Sequence, residues 1–184
     1  MEASVEHLSL WDQPAVQILR ITWEKAAYAA LFVALVLTRF WDLGARVMSH
    51  DESLHTQYSW YFFTGAGFQH SPLMHGPSLF LATAFNYFLF WDDDFTSRIF
   101  PAVMGIVLAL VIPYLLRPWL GKVGALATGC MFLISPAILY HSRYIRHDVR
   151  LITFAMVCFV AMMYYMTRPK DKHLYWLAAG MALM

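Results

Sequence analysis

The chain has 184 residues, of which 60% are hydrophobic, 17% aromatic and 14% charged, with a net charge of +1. Soluble domains carry roughly 25% charged residues, so this composition, with a mean hydropathy of +0.51, excludes an ordinary soluble domain and points to an integral membrane protein. The near-neutral charge gives no footing for nucleic acid as a partner.

Residues 1–24 are polar and amphipathic and lack the apolar core of a cleavable leader. Residues 1–25 read as a cytoplasmic or interfacial segment, with an interfacial helix over 16–24, and residues 26–184 as a membrane domain. The first predicted span covers 26–41, and Leu43-Gly44 marks its exit. A helix over 52–63, rich in Tyr58, Trp60 and Tyr61, suits the headgroup belt. Gly65-Ala-Gly67 ends it, and the loop that follows holds His70, Pro72, His75, Gly76 and Pro77. Residues 78–91 are apolar, bounded by Pro77 and Asp92-Asp93-Asp94. Apolar segments of ~10–14 residues are more often interfacial or re-entrant than spanning, and this one is read as non-spanning. Further spans are predicted over 99–116, 123–140 and 149–167. Residues 174–184 begin an apolar helix that stops about halfway to the ~20 residues a span needs, which is read as the front part of a longer protein or a helix completed by a partner. Cys130 and Cys158 fall inside apolar runs and read as small buried hydrophobes. The fold class is therefore an all-α integral membrane protein: a multi-span helical bundle with interfacial, juxtamembrane helices in its first non-cytoplasmic loop.

A non-spanning 78–91 segment decides the topology. It places Asp51, Glu52, Asp92 to Asp94 and the run from Arg143 to Asp148 on one face. The other face holds Lys25, Arg117, Lys122, Arg168, Lys170 and Lys172. Every lysine lies on that second side, so it is read as cytoplasmic. If 78–91 spanned, Asp148 and Asp51 would lie on opposite sides.

Several side chains stand out against this apolar background. Met48-Ser-His50-Asp51-Glu52-Ser-Leu-His55 sets two acids beside two histidines next to a predicted span. Ionisable groups near a bilayer are functional-site candidates, and a carboxylate near apolar surface and histidines can be tuned as a general base. The same residues also make sense as the cap of an amphipathic helix. Arg143, Arg146, His147 and Asp148 follow a span directly. Arg143 and Arg146 share a helix face, and the planar guanidinium holds phosphate in a way that lysine cannot. An interfacial arginine belt is the other reading, although Asp148 has nothing to gain from anionic lipid. His50 or His55 with Asp51 and His75 could hold a divalent metal, without matching a compact zinc motif; no other cofactor is indicated. Asp92 to Asp94, followed by Arg98, read as a solvated loop and an anchoring arginine.

The order of these motifs resembles the N-terminal module of GT-C glycosyltransferases, nearest the protein O-mannosyltransferase and lipid A aminoarabinose transferase relatives. The matching pieces are His50-Asp51-Glu52, Met74-His75-Gly76-Pro77, Asp94-Phe-Thr-Ser-Arg98-Ile-Phe-Pro101 and Ser135-Pro136-Ala-Ile-Leu-Tyr-His-Ser-Arg143-Tyr-Ile-Arg146-His147-Asp148. The resemblance implies a polyprenyl-phosphate sugar donor and inverting transfer at the non-cytoplasmic face of a prokaryotic cell membrane by a multi-pass protein. It implies Asp51 as catalytic base, Glu52 as its support, and Asp148 completing the catalytic set. Arg143 and Arg146, with His75 and Arg98, would bind substrate or phosphate. A non-catalytic helical subunit or assembly factor of a larger membrane complex is the alternative, suggested by the chain's length; other membrane subunits would then be partners beside lipids.

Overall fold

The computed structural model describes residues 22–67 and 77–184, and among them every regular element is helical. The helices are α1 (Trp23–Phe40), α2 (His50–Phe63), α3 (Ser78–Phe90), α4 (Asp94–Ile106), α5 (Arg117–Ile134), α6 (Pro136–Ser142), α7 (His147–Thr167) and α8 (Asp171–Leu183). The α4 rod continues through a π turn, Val107–Val111, and a last α turn, Ile112–Leu115.

Among the described residues, Asp94–Leu115 and His147–Thr167 are long and apolar enough to cross a membrane, and α5 with α6 makes a third candidate if that bent pair is one span. Of the four spans read from the sequence, one is corrected and another is not in this set. Helix α1 falls outside that set, with Glu24 and Lys25 in its first turn and Arg39 in its last. The predicted span over 123–140 is broken, with α5 and α6 meeting at 67°. Pro136 is the cause: it cannot donate to the preceding turn, and it drives Ser135 to extended backbone at φ −63°, ψ 117°. Helix α3 has 13 residues and is an apolar helix too short to be counted as a span.

The core forms where apolar faces of α1, α4, α5 and α7 converge. Leu108, Ile112, Val149 and Val160 form one buried cluster, and Leu31, Leu35 and Ala109 another. Two glycines allow the helices to close up. A Cβ on Gly129 would lie 2.7 Å from Leu31 Cδ2 and 2.8 Å from the Ala109 carbonyl, and a Cβ on Gly105 would collide with Ser142. The Ala109 carbonyl lies in the π turn, where Ile112 donates to Val107 and Pro113 follows with no N–H to offer.

Arginines close the frayed helix ends. Breaking α5 at Pro136 frees the Phe132 and Leu133 carbonyls, and Arg39 donates to both, at 3.0 and 3.4 Å. Arg143 does the same for α1, donating to the carbonyls of Thr38 (3.1 Å), Trp41 (2.7 Å) and Asp42 (3.1 Å). Unsatisfied carbonyls at a helix end need such donors when water is scarce. The two arginines tie α1, α5 and α6 together at the end of the molecule where α2 also begins.

Candidate functional site: an acid–arginine centre

Helix α2 starts with a capping box. The Ser49 hydroxyl accepts from the Glu52 amide, and Glu52 Oε2 accepts from the Ser49 amide at 3.1 Å. The box aims Glu52 inward. Neighbouring helical side chains diverge by ~100°, so Asp51 points outward: Glu52 is fully buried, and the Asp51 side chain is 49% exposed.

Glu52 is the hub of a buried node. Arg98 Nε donates to Oε1 at 3.0 Å and its NH2 to Oε2 at 3.3 Å, while its NH1 donates to the Leu43 carbonyl at 3.0 Å. Arg46 donates to Oε2 at 2.8 Å, and the Ile145 amide to Oε1 at 3.3 Å. Burial alone would push the Glu52 carboxyl up. The hydrogen bonds from Arg98, Ser49 and Ile145, with the Arg98 charge, outweigh it and hold the group below its ordinary value. Helix α4 reaches this node because its own start is fixed: Asp93 caps it, accepting from the Thr96 amide at 2.6 Å, with Thr96 returning the bond. Arg46 also lies over the rings of Tyr140 and Tyr144, 5.5 and 5.1 Å from their centroids, a cation–π arrangement that leaves part of the guanidinium exposed.

A second, open cluster lies beside this node. Arg146 NH1 is 3.7 Å from Asp51 Oδ2, and its Nε is 3.4 Å from Asp148 Oδ2. One guanidinium thus bridges two acids that are far apart in sequence, and His141 Nδ1 stands 3.4 Å from the same Oδ2 of Asp148. The three bridged side chains are each about half exposed. The arrangement offers a half-exposed carboxylate in reach of a half-exposed cation, backed by a buried pair.

The sequence-predicted residues therefore separate. Asp51, Arg146 and Asp148 come together. Glu52 and Arg98 join each other in the node behind them, with their donors and acceptors engaged by protein. Arg143 sits at the end of α1 with its guanidinium on backbone carbonyls, away from a phosphate-holding posture. His50 is exposed on the first turn of α2. His75, expected at the phosphate and as a metal ligand, lies outside the described residues, as does His70. Among the described residues no group of three or more His, Cys, Asp or Glu side chains could hold a metal ion. The node's other members were not singled out as site residues from the sequence: Arg46, Tyr144, the Ile145 amide, and His141 beside Asp148. Their available signal was position, since each flanks a helix boundary at the same end as Asp51.

His147, counted with this cluster from its position, turns inward. Its ring lies 4.9 Å from that of His55 and 6.2 Å from that of Phe80, and Nδ1 meets Arg150 NH2 at 2.7 Å. Arg150 in turn donates to the Leu183 and Met184 carbonyls.

Fold and site together define a helical membrane protein with an acid–arginine centre at one end of its bundle. Residues 74–184 match the model of the dolichyl-phosphate-mannose-protein mannosyltransferase family. That is more than half of the chain, and the protein belongs to this family of GT-C-type membrane glycosyltransferases. The matched region contains Arg98, Arg143, Arg146 and Asp148, and it begins after Asp51 and Glu52. A search of curated proteins and a search of solved structures each give no match.

Proposed function

We propose that this protein transfers a sugar from a polyprenyl-phosphate donor to an acceptor hydroxyl at the non-cytoplasmic face of the membrane, with inversion at the anomeric carbon. The observation that carries this reading is the Asp51–Arg146–Asp148 bridge, which gathers two acids and a cation on one open face. Family membership supplies the reaction class.

In this reading Asp51 takes the proton of the acceptor hydroxyl as that oxygen bonds to the anomeric carbon. The bond from the anomeric carbon to the phosphate oxygen breaks with its electron pair, and polyprenyl phosphate departs. Negative charge grows on the leaving phosphate, so a cation poised beside it favours the transition state over the ground state. Arg146 fills that role, being half exposed and held only by loose ion pairs. Asp148 and His141 keep it in place between turnovers. Glu52, Arg98, Arg143 and Arg46 act as positioning residues. The Glu52 node fixes the first turn of α2, and with it the direction of Asp51.

The test is transfer from a polyprenyl-phosphate-linked sugar in membranes holding the full chain. Asp51→Asn keeps the shape of the side chain and removes the base. Loss of a general base costs about 10²–10⁴-fold in rate, and that loss is expected with unchanged membrane insertion. Near-normal transfer by this variant would end the base assignment. Arg146→Gln is expected to slow release of the phosphate leaving group as well, so its deficit should shrink with donors carrying a better leaving group; a deficit independent of the leaving group would leave Arg146 a purely structural part.

A further inference from the structure

The opposite end of the molecule holds a site of its own. We propose that it binds the headgroup phosphate of an anionic phospholipid. A cavity of about 500 Å3 lies between the first turns of α1 and the end of the α4 rod, lined by Lys25, Tyr28, Leu110, Val111, Tyr114 and Arg117 among others. Leu110 and Val111 belong to the π turn. A π turn widens the helix by one residue at that level, and such turns recur at functional sites.

Three observations specify the ligand. First, charge is in surplus. Among the described residues Glu24 is the one acid lining the cavity, and it pairs with Arg117 at 2.9 Å and with Lys122 at 3.6 Å. Lys25 and Arg117 on the lining, with Lys122 just beyond it, outnumber this acid among the described residues, so the site is set for an anion. Second, the Tyr28 hydroxyl is buried, and it has no hydrogen-bond partner among the described residues. Its ring, edge-on to Tyr114 at 5.3 Å, lines the cavity, and the hydroxyl is a donor behind that wall with no acceptor among the described residues. Third, the walls are otherwise largely apolar, and the rod that supplies them is one of the described helices fit to cross a membrane. A phosphate joined to acyl chains satisfies both parts of such a site, whereas a free phosphate leaves the apolar walls uncovered. Lysine enrichment places this end on the cytoplasmic side, where anionic lipids concentrate and basic pockets between membrane helices hold their headgroups.

The test is independent of transfer activity. The full chain, purified in mild detergent, is loaded with equal amounts of phosphatidylglycerol and phosphatidylcholine, and retained lipid is read by native mass spectrometry. Phosphatidylglycerol is expected to be retained over phosphatidylcholine. The double variant Lys25→Gln, Lys122→Gln is expected to lose this preference by on the order of tenfold, and Tyr28→Phe to weaken it with helical content unchanged. Lys172→Gln, at the same end but outside the cavity, is expected to retain it. Equal retention of the two lipids in the unaltered chain would overturn the proposal. So would an equal loss in Lys172→Gln, which would make the preference a diffuse charge effect. Displacement of phosphatidylglycerol by millimolar inorganic phosphate would overturn the lipid assignment in favour of a soluble anion.

Discussion

Each end of this bundle is organised around one glutamate, and the two glutamates live in different solvents. Glu52 and Arg98 are almost wholly buried, with side-chain exposures of 0% and 1%. Glu24, Arg117 and Lys122 expose 13%, 34% and 57%. Both are acid–base clusters, yet burial changes what they can do. A buried carboxylate pays a large desolvation cost and persists only when its lone pairs are filled. Glu52 accordingly accepts from two arginines and two backbone amides. That saturation holds the node in one geometry, which the proposed base Asp51 would need to keep its aim. Glu24 is itself largely covered, but Arg117 and Lys122 reach water, where such charges are screened and can rearrange around an incoming anion. One end is built to hold a geometry and the other to accept a ligand.

The strongest way to break this comparison is to remove one partner from the buried node. Arg98→Met leaves Glu52 charged and buried without its main donor, which costs about 3–5 kcal/mol. A large fall in the thermal unfolding midpoint in detergent is expected. Pairing it with Glu52→Gln should recover part of the stability, because no uncompensated charge remains, while transfer stays low because the first turn of α2 is no longer fixed. Full activity of a stable double variant would show that Asp51 needs no such support. The pH dependence sharpens the same point with a smaller effect. The Glu52 carboxyl titrates below its ordinary value in the folded protein, so its stabilisation is fully present above about pH 4.5 and is lost as pH falls through the lowered value. Unfolding midpoints of the unaltered chain should drop more steeply below that pH than those of Glu52→Gln. Parallel curves would mean that the node contributes no pH-dependent stability.

Much of the buried end could be read from the residues alone, and the remainder could not, for definite reasons. The helical membrane fold followed from composition and apolar runs. A non-spanning 78–91 segment followed from its length, and helix α3 agrees with it. The meeting of Asp51 with Asp148 depended on that parity. What sequence could not supply was the direction of each side chain. Asp51 and Glu52 are adjacent, and only the capping box at Ser49 decides which one turns inward. Arg143 and Arg146 share a spacing that suggests joint phosphate binding, but α6 ends at Ser142, so the two do not sit on one helix. Arg143 then meets the open carbonyls of α1, and Arg146 meets the acids. The bend at Pro136 sets where α6 lies, and with it both outcomes. The charges of α1 were visible as well. Their consequence depended on Arg39 finding the two carbonyls that the broken α5 left free.

The smallest expected effect tests the exposed end. Lys122 is more than half exposed and approaches Glu24 at 3.6 Å, a pair worth roughly 0–1 kcal/mol in water. Lys122→Gln should therefore shift the unfolding midpoint barely, and any shift should vanish in 0.5 M salt, where screening shortens the reach of exposed charges. Arg98→Met should keep its full deficit in that salt, since the buried pair is shielded from counterions. If salt erased both effects, or neither, the two glutamate clusters would not differ in solvent exposure in the way that separates their roles. A stability loss above 2 kcal/mol for Lys122→Gln would mean that the lysine end is as rigid as the arginine end, and a site there would have to bind its anion without rearranging.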